Sequence, residues 1–141
     1  MAGYDRSLYQ TFLSQVPMFT SCTPEQLDRI AELGDAVAAP DGSAIVKEGD
    51  DADAFFVITS GKAVIDRGGR EVASIGAGQY FGELALFDPS PRNATVTASG
   101  MVSLVRLKRD DFTRALNETP AMRDALLHGM ARRLHELDAH A

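Results

Sequence analysis

The 141-residue chain predicts a mainly β domain with flanking helices: a small, jelly-roll-like β-roll (a double-stranded β-helix) between N-terminal helices and two C-terminal helices. Three observations predict it. Between positions 36 and 108, short β-type runs alternate with Gly and Asp turns at the spacing of a small sandwich or barrel. Before and after that stretch, the apolar residues change to a helical period. The composition, 45% hydrophobic and 24% charged, is that of one ordinary globular core, with no repeat, low-complexity tract or long linker to divide it. A chain of this length buries about two-thirds of its surface on folding, enough for such a core.

The elements follow in order. Leu8 and Phe12, with Tyr9 and Leu13 beside them, mark a first helix that Pro17 ends. Thr23 is placed as an N-cap with Pro24 at the first helical position, and Leu27, Ile30, Ala31 and Leu33 form the apolar stripe of a second helix stopped by Gly34. The β region reads as separate short runs. Ala44–Val46 ends at Glu48-Gly49-Asp50-Asp51, and Phe55–Ile58 ends at Ser60-Gly61. Ala63–Ile65 leads into Asp66-Arg67-Gly68-Gly69, a hairpin signal because the glycines supply the positive φ of a tight turn. Glu71–Ile75 returns, Gly76 and Gly78 lead into Tyr80-Phe81, and Thr95–Ala98 and Met101–Leu107 complete the set. Phe112, Ala115 and Leu116 then share one side of a short helix. Thr119-Pro120 opens the last one, striped by Leu126, Met130, Leu134 and Leu137.

The net charge of −6 excludes nucleic acid as the main partner, since a nucleic-acid face needs surplus Lys and Arg. No apolar run approaches the ~20 residues of a membrane helix, and Met1–Ser7 is not followed by an apolar signal core. Cys22 is the only cysteine, which forbids an internal disulfide and makes the cytoplasm the default location. It reads as a structural thiol. The three histidines, His128, His135 and His140, all fall in the last helix, so no metal cluster converges from the strands. No catalytic residue and no cofactor are expected, and the chain is not read as an enzyme.

The densest chemistry lies in Phe81-Gly82-Glu83-Leu84-Ala85-Leu86-Phe87 and Pro91-Arg92-Asn93-Ala94-Thr95-Val96. Glu83 can accept from sugar hydroxyls, and Arg92 can present a planar fork to an anionic phosphate while staying charged in a dry site. Gly82, Ala85 and Ala94 leave room for backbone N–H groups to approach the same anion. A buried Arg is costly alone, so a nearby carboxylate is expected, and Glu83 can serve. A helical turn over Ala85–Asp88 would aim free N–H groups at the phosphate, with Leu84, Leu86, Phe87 and Val96 packed inward.

These residues resemble the phosphate-binding cassette of the cyclic nucleotide-binding domain family, which includes the bacterial catabolite activators and the regulatory subunits of protein kinase A. The order of helices, β-roll and two helices is similar across nearly the whole chain. The resemblance implies a single domain over 1–141, with N-terminal helices at 1–35, the roll at 36–108, its cassette at 81–96, and C-terminal helices at 109–141. It implies a cyclic nucleotide ligand, cAMP before cGMP, with Glu83 on the ribose 2′-hydroxyl and Arg92 on the phosphate. Phe81, Gly82, Leu84, Ala85, Asn93 and Ala94 complete the ligand set, and Thr95 sits near the base-facing wall. Asn93 departs from the Ala, Ser or Thr common after that Arg and leaves adenine against guanine open. Met130-Ala131-Arg132-Arg133-Leu134 resembles the start of the activators' dimer helix, which implies a base cap from Arg133, Leu137 and Asp138. It also offers a homodimer through this helix as one outcome and packing on the roll as the other. No helix-turn-helix, kinase, channel or cyclase segment follows, so the expected role is a bacterial-style sensor acting on an unknown protein partner. The alternative is an interaction module with a vestigial pocket, or a fragment of a larger protein.

Overall fold

The computed structural model describes residues 5–88 and 90–138, apart from the side chains at 133 and 136–138. Helix α1 (Arg6–Ser14) is capped by Asp5, whose carboxylate accepts the Leu8 amide. Pro17–Phe19 forms a 3₁₀ turn. Helix α2 (Pro24–Glu32) starts from a complete capping box: Thr23 Oγ1 accepts the Gln26 amide and Gln26 accepts the Thr23 amide. Six strands follow: β1 (Asp35–Ala39), β2 (Ala44–Val46), β3 (Ala54–Arg67), β4 (Arg70–Gly76), β5 (Tyr80–Phe81) and β6 (Thr95–Lys108). They form one antiparallel sheet in the order β1-β6-β3-β4, with β2 also on β6 and β5 also on β3. Helices α3 (Arg109–Glu118) and α4 (Pro120–Asp138) close the chain. No helix among the described residues is long and apolar enough to cross a membrane.

The sheet departs from the sequence expectation in β1, a strand where no run is singled out, and in the length of β3 and β6. Ser60-Gly61 does not end a strand, and Gly100 does not separate two. β3 and β6 each run for 14 residues and pair from Ala54↔Lys108 to Asp66↔Thr95, with register shifts between Ile58 and Ser60 and between Ser60 and Lys62. Gly61 lies at that bulge with φ +93°, and a Cβ there would stand 2.5 Å from the Met101 carbonyl oxygen. Glycine in a strand can mark a bulge and close backbone approach as well as a turn. The hairpin expected at Gly68-Gly69 does form, with φ +61° and +79°, the pair of positive angles a type I′ turn requires.

Alternation along β3 sends side chains into two separate cores. Ala54, Phe56 and Ile58 enter the interior of the roll with Phe81, Val96, Ala98, Val102 and Leu104. Phe55 and Val57 face the other way, into a helical core with Tyr9, Phe19, Ile30, Leu86, Phe112, Met122 and Leu126. Edge-on ring contacts from Phe19 to Phe55 and to Phe112 knit that second core. The α4 stripe splits. Leu126 is buried and Met130 packs on the helical core, while Leu134 is 62% exposed. Gly129 is where α4 meets the N-terminal 3₁₀ turn: a Cβ there would fall 2.5 Å from the Met18 carbonyl oxygen. Helix α4 therefore packs on the body of the domain through its first half.

Candidate functional site

A cavity of about 360 Å³ opens between the cassette and the ends of β2 and β3. Of the residues singled out in the sequence, Phe81, Gly82, Glu83, Leu84, Ala85, Arg92, Asn93 and Ala94 line it, together with Val46, Ile65, Arg67 and Asp88. Thr95 does not. Its neighbours Ala94 and Val96 point inward, so strand alternation turns Thr95 outward, where Oγ1 accepts the Glu48 amide at 2.9 Å. The side chains of Arg133, Leu137 and Asp138 lie outside the described residues, as does His140; His128 and His135 are exposed. Among the described residues no group of His, Cys, Asp or Glu is arranged to hold a metal ion.

Arg92 is the best-fixed group in the cavity. Its amide donates to the Asp50 carbonyl at 2.8 Å, and its own carbonyl accepts the Gly49 amide at 2.8 Å. Its Nη2 donates to the Ala54 carbonyl at 2.9 Å, and Cζ stands 5.8 Å from the centre of the Phe56 ring. That ring stacks on Phe81 at 5.0 Å. Half-burial pushes the Arg92 pKa below its ordinary value, and the charge of Asp53 opposes that shift. The acid whose charge acts on Arg92 is thus Asp53 rather than Glu83, and the described residues form no ion pair of Arg92 with either. Glu83 is left to face the cavity, half-buried.

The cassette turn also lies elsewhere than expected. It is a 3₁₀ turn over Glu83–Leu86, two residues early, and Gly82 starts it with φ +79°. The Ala85 amide already donates to the Gly82 carbonyl at 3.0 Å, so the N–H groups at the open end of the turn are those of Glu83 and Leu84. Glycine at 82 is required twice over. The left-handed backbone disfavours a side chain, and a Cβ would stand 2.5 Å from Arg92 Nη1 and 3.0 Å from the Ala54 oxygen. Leu86 packs inward as expected, but Leu84 is 67% exposed and Phe87 41% exposed, because the short turn faces them to solvent. Phe87 still meets Phe112 of α3 edge-on at 5.6 Å.

Two further residues escaped the sequence reading. Arg109, first in α3, donates from Nη1 to the Ala52 carbonyl at 2.7 Å and the Ala85 carbonyl at 3.3 Å, tying helix, cassette and the β2–β3 loop together. Arg67, last in β3, lines the cavity and donates from Nε to the Asn93 carbonyl at 3.0 Å. An Arg beside helix-start acids or in a hairpin carries no signal that separates such roles from a solvated charge.

This geometry has close counterparts. The family model described as the cyclic nucleotide-binding domain matches residues 36–119. A cAMP-dependent protein kinase regulatory subunit from Aspergillus niger is 43% identical over 113 residues, 79% of this chain and 28% of that protein, so the chain spans little more than a quarter of its length. The N-terminal domain of a transcriptional regulator from Streptomyces coelicolor A3(2) superposes with a TM-score of 0.83 at 36% identity, covering 91% of this chain and 95% of that one. The regulatory domain of Toxoplasma gondii PKA, solved with cAMP, superposes with a TM-score of 0.71 at 29% identity, covering 93% of this chain and 50% of that one. With its cassette, its antiparallel roll and its flanking helices, the chain belongs to the cyclic nucleotide-binding domain family.

Proposed function

We propose that this domain binds cAMP in the cassette cavity and reports its occupancy through α3 and α4. The observation that carries the reading is Arg92, pinned through its main chain and through Nη2 yet still lining the cavity beside an open turn and a free carboxylate. Arg92 takes the cyclic phosphate with the Glu83 and Leu84 amides, and Glu83 accepts from the ribose 2′-hydroxyl. The base lies on the apolar wall of Val46, Ile65 and Val96. The cAMP-bound relative supports adenine as the base.

Ligand drawing the turn inward would move Leu86 and Phe87 against Phe112, and would pull on Arg109 through the Ala85 carbonyl. The helices respond as a population shift between two packings. The exposed Leu127 and Leu134 on α4 are the surface we assign to a protein partner or to a second copy of the chain. Calorimetric titration tests the reading. Saturable binding of cAMP, one per chain, should be lost in Arg92→Ala while the circular dichroism spectrum stays that of the folded domain. Absence of binding by the folded wild type, or undiminished affinity in the variant, would overturn it.

A further inference from the structure

Arg67 adds a second guanidinium to a cavity whose proposed ligand carries one negative charge. Arg92 already answers that charge, so Arg67 must be assigned to something else in the cavity. It shares a face of β3 with Ile65, two residues earlier, and both line the cavity. Ile65 belongs to the apolar wall, which places Arg67 about 7 Å further along, at the rim of the surface on which a flat ring would lie. Its Nε is engaged with the Asn93 carbonyl at 3.0 Å, which orients the guanidinium. No ion pair or hydrogen bond engages Nη1 or Nη2 among the described residues. Glu48 turns Oε1 to the Gly68 amide at 2.9 Å, and no acid among the described residues forms an ion pair with Arg67.

A guanidinium donates and never accepts. At the six position of a purine this is decisive. Adenine carries an amino donor there, whereas guanine and hypoxanthine carry a carbonyl acceptor. The contrast is felt on either edge that carries C6, the N1 side or the N7 side. Resting on the proposed nucleotide site, we propose that Arg67 reads the base, adding affinity for 6-oxopurine cyclic nucleotides and so admitting them alongside cAMP. The outward turn of Thr95 removes the hydroxyl expected at the base-facing wall, which leaves Arg67 as the polar side chain best placed for this task.

cIMP is the sharpest probe, because it differs from cAMP in its base only at the six position and the proton on N1. Wild type, Arg67→Ala and Arg67→Met would each be titrated with cAMP and cIMP. In both variants cIMP should weaken about tenfold, within the discrimination of a good Arg–purine contact, while cAMP changes less than about threefold. Arg67→Met keeps an unbranched apolar stem and carries no donor, so it separates lost donors from lost packing. Equal weakening of the two ligands, or no change in either, would overturn the base-reading role while leaving the nucleotide site standing. Wild type that binds neither ligand would instead overturn the site itself.

Discussion

Replacing Gly82 by Ala tests how the cassette holds Arg92. The residue sits at φ +79°, a left-handed conformation that costs an L side chain about 1–2 kcal/mol. The new Cβ would also stand 2.5 Å from Arg92 Nη1 and 3.0 Å from the Ala54 oxygen. The carbonyl belongs to the start of β3 and cannot retreat, so the guanidinium must. Its 2.9 Å bond to that carbonyl is then lost, at about 1.5–3 kcal/mol for a charged donor. Gly42 is a matched control. It has the same φ of +79°, is exposed, and has nothing within 4 Å of where an added methyl group would stand. Gly42→Ala should therefore show the backbone cost alone. At about 3–5 °C per kcal/mol for a domain of this size, Gly42→Ala should lower the melting temperature by roughly 5 °C and Gly82→Ala by roughly 10–20 °C. Only the second should also weaken cAMP binding by more than tenfold. Thermal melting and calorimetric titration read both quantities. If the two variants melt within about 2 °C of one another and bind alike, the contact between Gly82 and Arg92 is not what fixes the site.

The remaining predictions address other joints of the molecule. If Glu83 accepts from the ribose, 2′-deoxy-cAMP should bind the wild type at least tenfold more weakly than cAMP, a charge-assisted bond being worth about 1.5–3 kcal/mol; in Glu83→Ala the two ligands should bind equally. Gly129→Ala should lower the melting temperature although alanine favours a helix by about 1 kcal/mol, because its Cβ meets the Met18 carbonyl at 2.5 Å. Arg109→Ala leaves the Ala52 and Ala85 carbonyls without their donor and should cost about 1–3 kcal/mol in urea unfolding. Burial pushes the Cys22 thiol up to about 11 from 9.0, so iodoacetamide at pH 8 should label the folded protein more slowly than the unfolded chain. The same shift favours the protonated folded form: its stabilising contribution is complete below pH 9 and is lost as the pH rises towards 11, because the unfolded thiol ionises first.

Features fixed by a single local rule were readable from sequence. The Thr23 cap, the Pro24 start and the Gly68-Gly69 hairpin each follow from residues within four positions of one another. The cassette was readable because its Glu, Arg and small residues are close in the chain as well as in space. What failed depended on distant partners. Asp53 lies 39 positions before Arg92 in a loop rich in Asp and Ala, and nothing local separates it from Asp50 or Asp51 as the acid whose charge acts on the guanidinium. Ser60-Gly61 has the composition of a turn. Only the approach of Met101 from β6 shows it to be a bulge in a continuous strand. Leu84 is apolar and directly precedes the buried Ala85 and Leu86, yet a 3₁₀ turn of four residues has too few positions to bury every one of its side chains.

The two faces of β3 give the domain a division of labour. One face holds the interior of the roll, from Phe56 to Phe81, which shapes the cavity; the other holds Phe55 and Val57 against the helices. The seam runs through the cassette itself, since Phe81 belongs to the first core and Leu86, five residues later, to the second. A close-packed interior resists partial rearrangement, so two small interiors can do what one large one cannot: the helical cover can repack while the receptor side keeps its shape. The same partition frees the cover to change its outer surface without retuning the recognition of the ligand, so different outputs can be built on one receptor.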